Sequence, residues 1–124
     1  MTNDLVPTDV RDFIQRHIDS IAQLETLLLL KANPDENWDV ARISKRLYAT
    51  EREIADVLAR LNADGFLQCK DNAYRYECAA EAQHKIEQLA NVYSRHLIAV
   101  TNMIHAKPRR IREFAEAFKF RKDR

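Results

Sequence analysis

The chain of 124 residues contains a single glycine, Gly65, and this scarcity restricts its fold more than any other feature. Glycine-rich phosphate-binding loops and collagen-like repeats are excluded, and only three prolines are present to form linkers. A fold built from many β-hairpins is disfavoured, because tight hairpin turns usually need glycine. The lone glycine follows Asp64 at the end of an apolar helical pattern, where a left-handed residue commonly terminates a helix. The sequence therefore predicts a mainly α-helical protein.

The composition is that of one globular domain, or of a small domain with an additional arm. Hydrophobic residues make up 46% of the chain and charged residues 31%, which is sufficient for a core. The two cysteines, Cys69 and Cys78, are too few for a disulfide scaffold. The longest purely apolar run is Leu27 to Leu30, far too short to span a bilayer, and no signal-peptide pattern is present. We expect a cytoplasmic protein without membrane contact.

Apolar residues recur at helical spacing in six segments, and residues that favour helix N-termini begin three of them: Ser20, Asp39 and Thr50. The predicted helices cover residues 8–18, 20–31, 39–48, 50–64 and 80–106, with a last one from residue 109. The sequence does not decide whether the first two form one bent helix. Between the fourth and fifth, residues 66–70 and 74–78 read as the strands of a β-hairpin with a turn at 71–73.

Residues 21–78 carry a resemblance to a known family. Their order is a helix, a strand-like segment at Trp38, the helices W-D-V-A-R-I-S-K-R-L and T-E-R-E-I-A-D-V-L-A-R-L-N-A-D-G-F-L, and the hairpin. This order resembles the winged helix-turn-helix domain of MarR- and PadR-type bacterial regulators. The resemblance implies a mainly α fold, with a winged helix-turn-helix core and a short β-hairpin wing. A long dimerisation helix and a basic amphipathic C-terminal helix would follow.

The predicted division of the chain follows from this order: an N-terminal helical arm (1–19), the winged helix-turn-helix domain (20–79), the dimerisation helix (80–106) and the basic helix (107–124). A shared core is expected for the domain. Its predicted members are Leu24, Leu28, Ile43, Leu47, Ile54, Leu58, Leu61, Phe66 and Leu67.

In such domains the second helix of the pair, the recognition helix, enters the major groove while the first crosses the DNA backbone. The predicted contacts to double-stranded DNA are therefore Arg42, Lys45 and Arg46 on phosphates, with Thr50, Arg52, Lys70 and Arg75 nearer the bases or the wing groove. Residues 50–64 carry two arginines against four carboxylates, a net charge of −2. The favoured hypothesis is a DNA-binding transcriptional regulator; the alternative is a winged-helix protein–protein interaction module that does not bind DNA.

The predicted helix 80–106 carries an apolar seam with spacings of 3, 4, 4, 3 and 4 residues, close to a coiled-coil pattern. A helix of this length would extend about 40 Å, and one short chain can hardly cover both of its apolar stripes. We therefore expect a homodimer, the state that paired DNA half-sites require. The predicted interface residues are Ile86, Leu89, Tyr93, Leu97, Val100 and Ile104.

The C-terminal segment 107–124 holds eight Lys and Arg residues against three carboxylates, a net charge of +5, while the rest of the chain has −4. Its apolar residues Ile111, Phe114 and Phe118 lie at helical spacing. Docking on the acidic body or on an acidic protein partner would satisfy both features. An electrostatic arm that reaches DNA is a further possibility; a membrane-surface helix is disfavoured, because the apolar face is short.

No motif for catalysis is present. The sequence lacks a nucleophile elbow, a phosphate loop and paired catalytic carboxylates, so we expect no enzyme activity and no cofactor. The four histidines lie at no metal-ligand spacing, and no metal site is predicted. Cys78 lies beyond the reach of Cys69 across the hairpin, which favours two free thiols. Tyr74 and Tyr76 share one face of their strand, where we expect packing on the long helix rather than base stacking.

Overall fold

Six helices and a two-stranded antiparallel sheet make up the computed structural model, which describes residues 5–107. The elements are α1 (Thr8–His17), α2 (Ile21–Ala32), α3 (Val40–Leu47), α4 (Glu51–Ala63), β1 (Leu67–Lys70), β2 (Ala73–Tyr76), α5 (Ala80–Arg95) and α6 (Leu97–His105). The mainly helical character and the hairpin are confirmed. The predicted basic C-terminal helix lies outside the described residues.

Helices α2, α3 and α4 begin where the sequence predicts, because an N-cap side chain satisfies a free backbone N–H in each first turn. Ser20 and Thr50 each accept a hydrogen bond at 3.1 Å from the amide three positions on, and Asp39 accepts one at 2.8 Å. Ile18 is extended and Ser20 is the N-cap of α2. The first two helices are therefore separate.

Helix α4 ends in the left-handed conformation that the lone glycine predicts. Gly65 has φ +86° and donates its N–H to the carbonyl of Asn62 at 3.0 Å. The N–H of Phe66 reaches back to the carbonyl of Leu61 at 3.1 Å, and both of these side chains are buried. This pair of hydrogen bonds is the Schellman motif, which turns the chain from α4 directly into β1.

The wing is a hairpin with a two-residue turn. Asp71 and Asn72 both have positive φ values, 54° and 64°, as a type I′ turn requires. Ala73 pairs with Lys70 instead of belonging to the turn, so the predicted three-residue turn is too long by one residue. Asp and Asn tolerate the left-handed region, which removes the need for glycine at this turn.

The strand-like segment that the sequence predicts at Trp38 forms a single β-bridge with the hairpin. Its backbone N–H donates to the carbonyl of Tyr74 at 2.8 Å, and the N–H of Tyr74 donates back at 2.7 Å. The Trp38 side chain is buried. The segment that leads into α3 is thereby fixed to the wing.

One apolar cluster includes buried side chains from every helix and from β1. Seven of the nine predicted core residues are buried: Leu24, Ile43, Ile54, Leu58, Leu61, Phe66 and Leu67. Leu28 and Leu47 pack against the cluster but are only partly buried. Helix α1 lies against α5, so the predicted N-terminal arm contributes to the same core.

The single long helix predicted over residues 80–106 is wrong. It is broken at His96, where φ is −133° and ψ is 55°, into α5 and α6. A straight helix of about 40 Å would carry its second half beyond a domain of this size. The break allows both halves to bury apolar residues in one core: Ile86 and Leu89 from α5, and Val100 and Ile104 from α6 are fully buried. The premise that these side chains need a second chain to cover them is therefore also wrong.

Lys107 ties the end of α6 to the C-terminus of α1. Its Nζ donates to the carbonyls of Ile14 and Ile18 at 2.9 and 2.8 Å and to Asp19 at 2.9 Å, and only 7% of its side chain is exposed. Asp19 also pairs with Arg60 of α4 at 2.7 Å. Lys107, which the sequence assigns to the basic tail, thus belongs to the folded body. Between residues 5 and 107, no helix is long and apolar enough to cross a membrane.

Candidate nucleic-acid interface

Helices α3 and α4 form the helix-turn-helix pair, joined by residues 48–50. Helix α4 buries one face in the core through Ile54, Val57, Leu58 and Leu61. Its opposite face is exposed and consists of Glu51, Arg52, Glu53, Ala55, Asp56, Ala59, Asn62 and Ala63. This is the face that a recognition helix presents to the major groove.

Four of the predicted DNA-contacting cations are exposed and form no ion pair within the described part of the chain. Lys45 and Arg46 lie in the last turn of α3, Arg52 in the first turn of α4, and Lys70 at the end of β1. A cation without a carboxylate partner is free to bind phosphate without first breaking an ion pair. These four residues, Lys45, Arg46, Arg52 and Lys70, are called the free cations below.

Arg42 is held against the body instead. Its guanidinium donates to the carbonyl of Asn37 at 2.9 Å and to the carboxylate of Glu36, and its Cζ lies 3.8 Å from the centre of the Trp38 ring. The cation–π contact and the two hydrogen bonds draw the side chain along the protein surface. Arg42 orders the segment before α3, and a contact with phosphate would require it to leave these partners.

The wing brings Lys70 and Arg75 to a common groove of about 330 Å³, which Asn37, Gln68 and Glu77 also line. Arg75 pairs with Glu77 at 3.1 Å, and both side chains are about half exposed, at 45% and 54%. Exposed ion pairs contribute little, about 0–1 kcal/mol. Arg75 can therefore exchange Glu77 for a phosphate at small cost.

Thr50 is the N-cap of α4, and this restricts the kind of contact that its side chain can make with DNA. Its Oγ1 accepts the N–H of Glu53 at 3.1 Å. The hydroxyl proton remains available as a donor, because a hydroxyl both donates and accepts. A Thr50 contact with DNA would therefore be a donated hydrogen bond, and the residue is exposed.

Arg60 does not offset the acidic character of the exposed α4 face. Its guanidinium pairs with Asp64 at 3.1 Å and with Asp19 at 2.7 Å, and it donates to the carbonyl of Arg16 at 3.0 Å. His17 lies 3.0 Å from the same Asp64 carboxylate. The outward face of α4 is left with one arginine, Arg52, against three carboxylates. The sequence gives the charges but not this pairing.

Tyr48 is a residue of the helix-turn-helix that the sequence analysis missed. It lies in the turn between α3 and α4 with a left-handed backbone, φ 57° and ψ 40°, and its side chain is 95% exposed. The only sequence signal is the interruption of the helical pattern at residues 49–50. That signal marks a turn but does not say that an aromatic side chain will be fully exposed there.

The side chains predicted for the dimer interface divide into two groups. Ile86, Leu89, Val100 and Ile104 are buried within the single chain and cannot contact a partner without unfolding. Tyr93 is partly buried, with its hydroxyl donating to Glu25 at 2.8 Å.

The exposed apolar surface at this end of the chain is smaller and lies elsewhere. Leu97 is 51% exposed, and its neighbour Ile98, outside the predicted seam, is 68% exposed at the start of α6. Two adjacent exposed aliphatic side chains form a candidate contact surface.

The tyrosines of the wing are partly buried, but the long helix is not the main element they face. Tyr74 and Tyr76 are partly buried against the core, and β2 lies against α2 rather than the long helix. Cys69 and Cys78 are free thiols. Burial raises the pKa of Cys78, which keeps its thiol protonated near neutral pH.

Two solved structures share the fold of this chain. The crystal structure of a MarR family transcriptional regulator from Silicibacter pomeroyi has a TM-score of 0.53 and 17% sequence identity, over 98% of this chain and 85% of that chain. A transcriptional regulator from Thermotoga maritima has a TM-score of 0.50 and 17% identity, over 93% and 82% of the two chains. No protein-family model and no curated protein matches the sequence. The resemblance to MarR-type regulators is thus confirmed at the level of the fold.

Proposed function

We propose that this chain is a DNA-binding transcriptional regulator of the winged-helix type, which binds double-stranded DNA as a homodimer in the cytoplasm. The observation that carries the proposal is the set of free cations on α3, α4 and β1, beside an exposed α4 face. The similar solved structures are those of transcriptional regulators, which agrees with it. The protein acts by binding, without a catalytic step or a cofactor.

In this arrangement α4 enters the major groove and the surrounding cations supply the affinity. Lys45 and Arg46 on α3 bind phosphates, and Lys70 and Arg75 follow the wing into the adjacent groove. The carboxylates of Glu51 and Asp56 face base edges, where they can accept a hydrogen bond from the cytosine amino group. The same carboxylates repel the phosphates of the DNA backbone at every site. Because only cytosine offsets this repulsion with a hydrogen bond, sites that contain cytosine are favoured over non-specific DNA.

The homodimer contact proposed here is the start of α6, with Leu97 and Ile98 at its centre. A two-fold pairing of this surface places two α4 helices in one assembly, as paired half-sites require. The segment 108–124 carries seven Lys and Arg residues against three carboxylates, a net charge of +4. We propose that it adds attraction to the DNA backbone or to an acidic protein partner.

The acidic outward face of α4 favours a second candidate function. Three carboxylates against one arginine form a surface suited to a basic protein partner, and a winged helix that does not bind DNA would use it in this way. Duplex binding separates the two candidates.

The test compares three variants on a mixed-sequence duplex in a low-salt titration. Lys45→Ala/Arg46→Ala removes two free cations from each chain, four from the dimer, and weakens binding about tenfold or more, with the salt slope reduced by about 4. Arg42→Ala has a smaller effect, because that side chain is committed to Glu36 and Trp38. Lys85→Ala/Arg95→Ala, the matched control, removes the same charge from exposed positions on α5. Equal losses for the two double variants would contradict the proposed interface.

A further inference from the structure

Tyr48 combines two unfavourable features in one residue. Its backbone is left-handed, φ 57° and ψ 40°, a region that glycine and asparagine occupy far more readily than an aromatic residue. Its side chain is 95% exposed, so the ring gains no burial in return. Residues held in strained conformations concentrate at functional sites, where the surrounding structure maintains them.

The fold requires this backbone but not this side chain. The N–H groups of Tyr48 and Ala49 both donate to the carbonyl of Ser44, and the Ser44 hydroxyl donates to the carbonyl of Ala49. These hydrogen bonds terminate α3 and fix the direction in which the chain continues to α4. Within residues 5–107 the Tyr48 hydroxyl makes no hydrogen bond, and its ring stacks on no other ring.

The position of Tyr48 indicates what the side chain contacts. Among the exposed large apolar residues of the described chain it alone lies in the helix-turn-helix; the others are Leu5, Leu97 and Ile98. Lys45 precedes it by three positions, about one helical turn, and Arg46 is also exposed in the same last turn of α3. When α4 occupies the major groove, the turn before it lies beside the DNA backbone.

We infer that Tyr48 is a DNA-backbone contact: its ring packs against a deoxyribose, and its hydroxyl donates a hydrogen bond to a phosphate oxygen beside those bound by Lys45 and Arg46. The inference rests on the proposed DNA-binding function. A tyrosine in this place gives contact area and one donor without adding charge. The contact therefore strengthens binding without reading sequence and without increasing the salt dependence.

The test uses the full chain, a mixed-sequence duplex of about 30 base pairs, long enough for two half-sites, and thermal unfolding of the free protein. Tyr48→Asn relieves the backbone and raises Tm by about 4 °C, yet weakens duplex binding more than tenfold. Tyr48→Phe keeps the ring and the strain, leaves Tm unchanged and weakens binding about threefold. Both variants keep the salt slope of the wild type, whereas Lys45→Ala/Arg46→Ala reduces it.

A rise in Tm together with a loss of duplex affinity in Tyr48→Asn excludes a merely structural role, because a structural role would lower stability and affinity together. If the wild type binds the duplex and Tyr48→Asn binds it with the same affinity, the inference is overturned and the proposed function stands. A Tyr48→Asn protein with lower Tm and lower affinity would also overturn it. Absence of duplex binding by the wild type at low salt would instead overturn the proposed function, and this inference with it.

Discussion

Charged side chains on the surface of this protein differ in how firmly the fold holds them. Arg60 and Lys107 are committed to Asp19, and Arg42 lies over Trp38, whereas Lys45 and Arg46 have no ion-pair partner in the described chain. A sequence gives the number and order of the charges. It does not give these partners, because Arg60 and Asp19 are 41 positions apart and meet only in the folded chain.

Tyr93 links the stability of the fold to pH. Burial, together with the hydrogen bond to Glu25, raises the pKa of its phenol from 10.0 to about 12. The folded chain therefore holds this proton more tightly than the unfolded chain, so its contribution is fully present below pH 10 and is lost as the pH rises towards 12.

Tyr93→Phe removes this contribution to the pH dependence. Thermal unfolding measured from neutral pH to pH 11 should show a shallower alkaline decrease in Tm for the variant than for the wild type. Tyr74 and Tyr76, whose pKa values burial also raises, are present in both proteins and leave some decrease in each. Parallel alkaline profiles for the two proteins would contradict a pKa of Tyr93 that is higher in the folded chain than in the unfolded chain.

At the scale of the elements, local sequence signals set the helix termini, whereas packing in the core sets the lengths of the helices. The N-caps Ser20, Asp39 and Thr50 and the terminator Gly65 act within about one turn, and each was readable from the sequence. The break at His96 was not readable, because neither proline nor glycine marks it. It arises from the need to bury both halves of the segment 80–106 in one core, which is a tertiary requirement.

The break also leaves an exposed apolar pair at the start of α6, and this pair carries the dimer prediction. Leu97→Gln/Ile98→Gln should convert a dimer into a monomer of 14.5 kDa in light scattering at micromolar concentration, with the helical circular dichroism unchanged. The loss of two exposed aliphatic side chains from an interface removes most of its apolar contact.

Tyr48→Asn serves as the control, since it removes an even more exposed large side chain from the turn between α3 and α4 and should remain dimeric. A wild-type protein that already scatters as a monomer would contradict the proposed homodimer, while a double variant that stays dimeric would place the interface elsewhere.

Across residues 5–107, the winged helix shares one continuous core with α1, α5 and α6. The resemblance in the sequence predicted the winged helix, and the order of its elements was correct. The way in which α1 and α6 complete the core was not predictable, because it depends on contacts between the two ends of the chain, such as Lys107 with Ile14. The sequence predicted the candidate site as a set of cations. Which of these cations lack an ion-pair partner depends on the contacts that form when the chain folds.

The central claim is that this assembled surface binds DNA through the free cations. A salt series of wild-type binding to duplex DNA tests it most directly. A dimer carries eight free cations, four per chain, and each contributes about 0.9 to the slope, so log K should fall steeply with log salt, with a slope of about −7. Failure to bind duplex DNA at low salt, or an affinity that does not change with salt, would contradict the account.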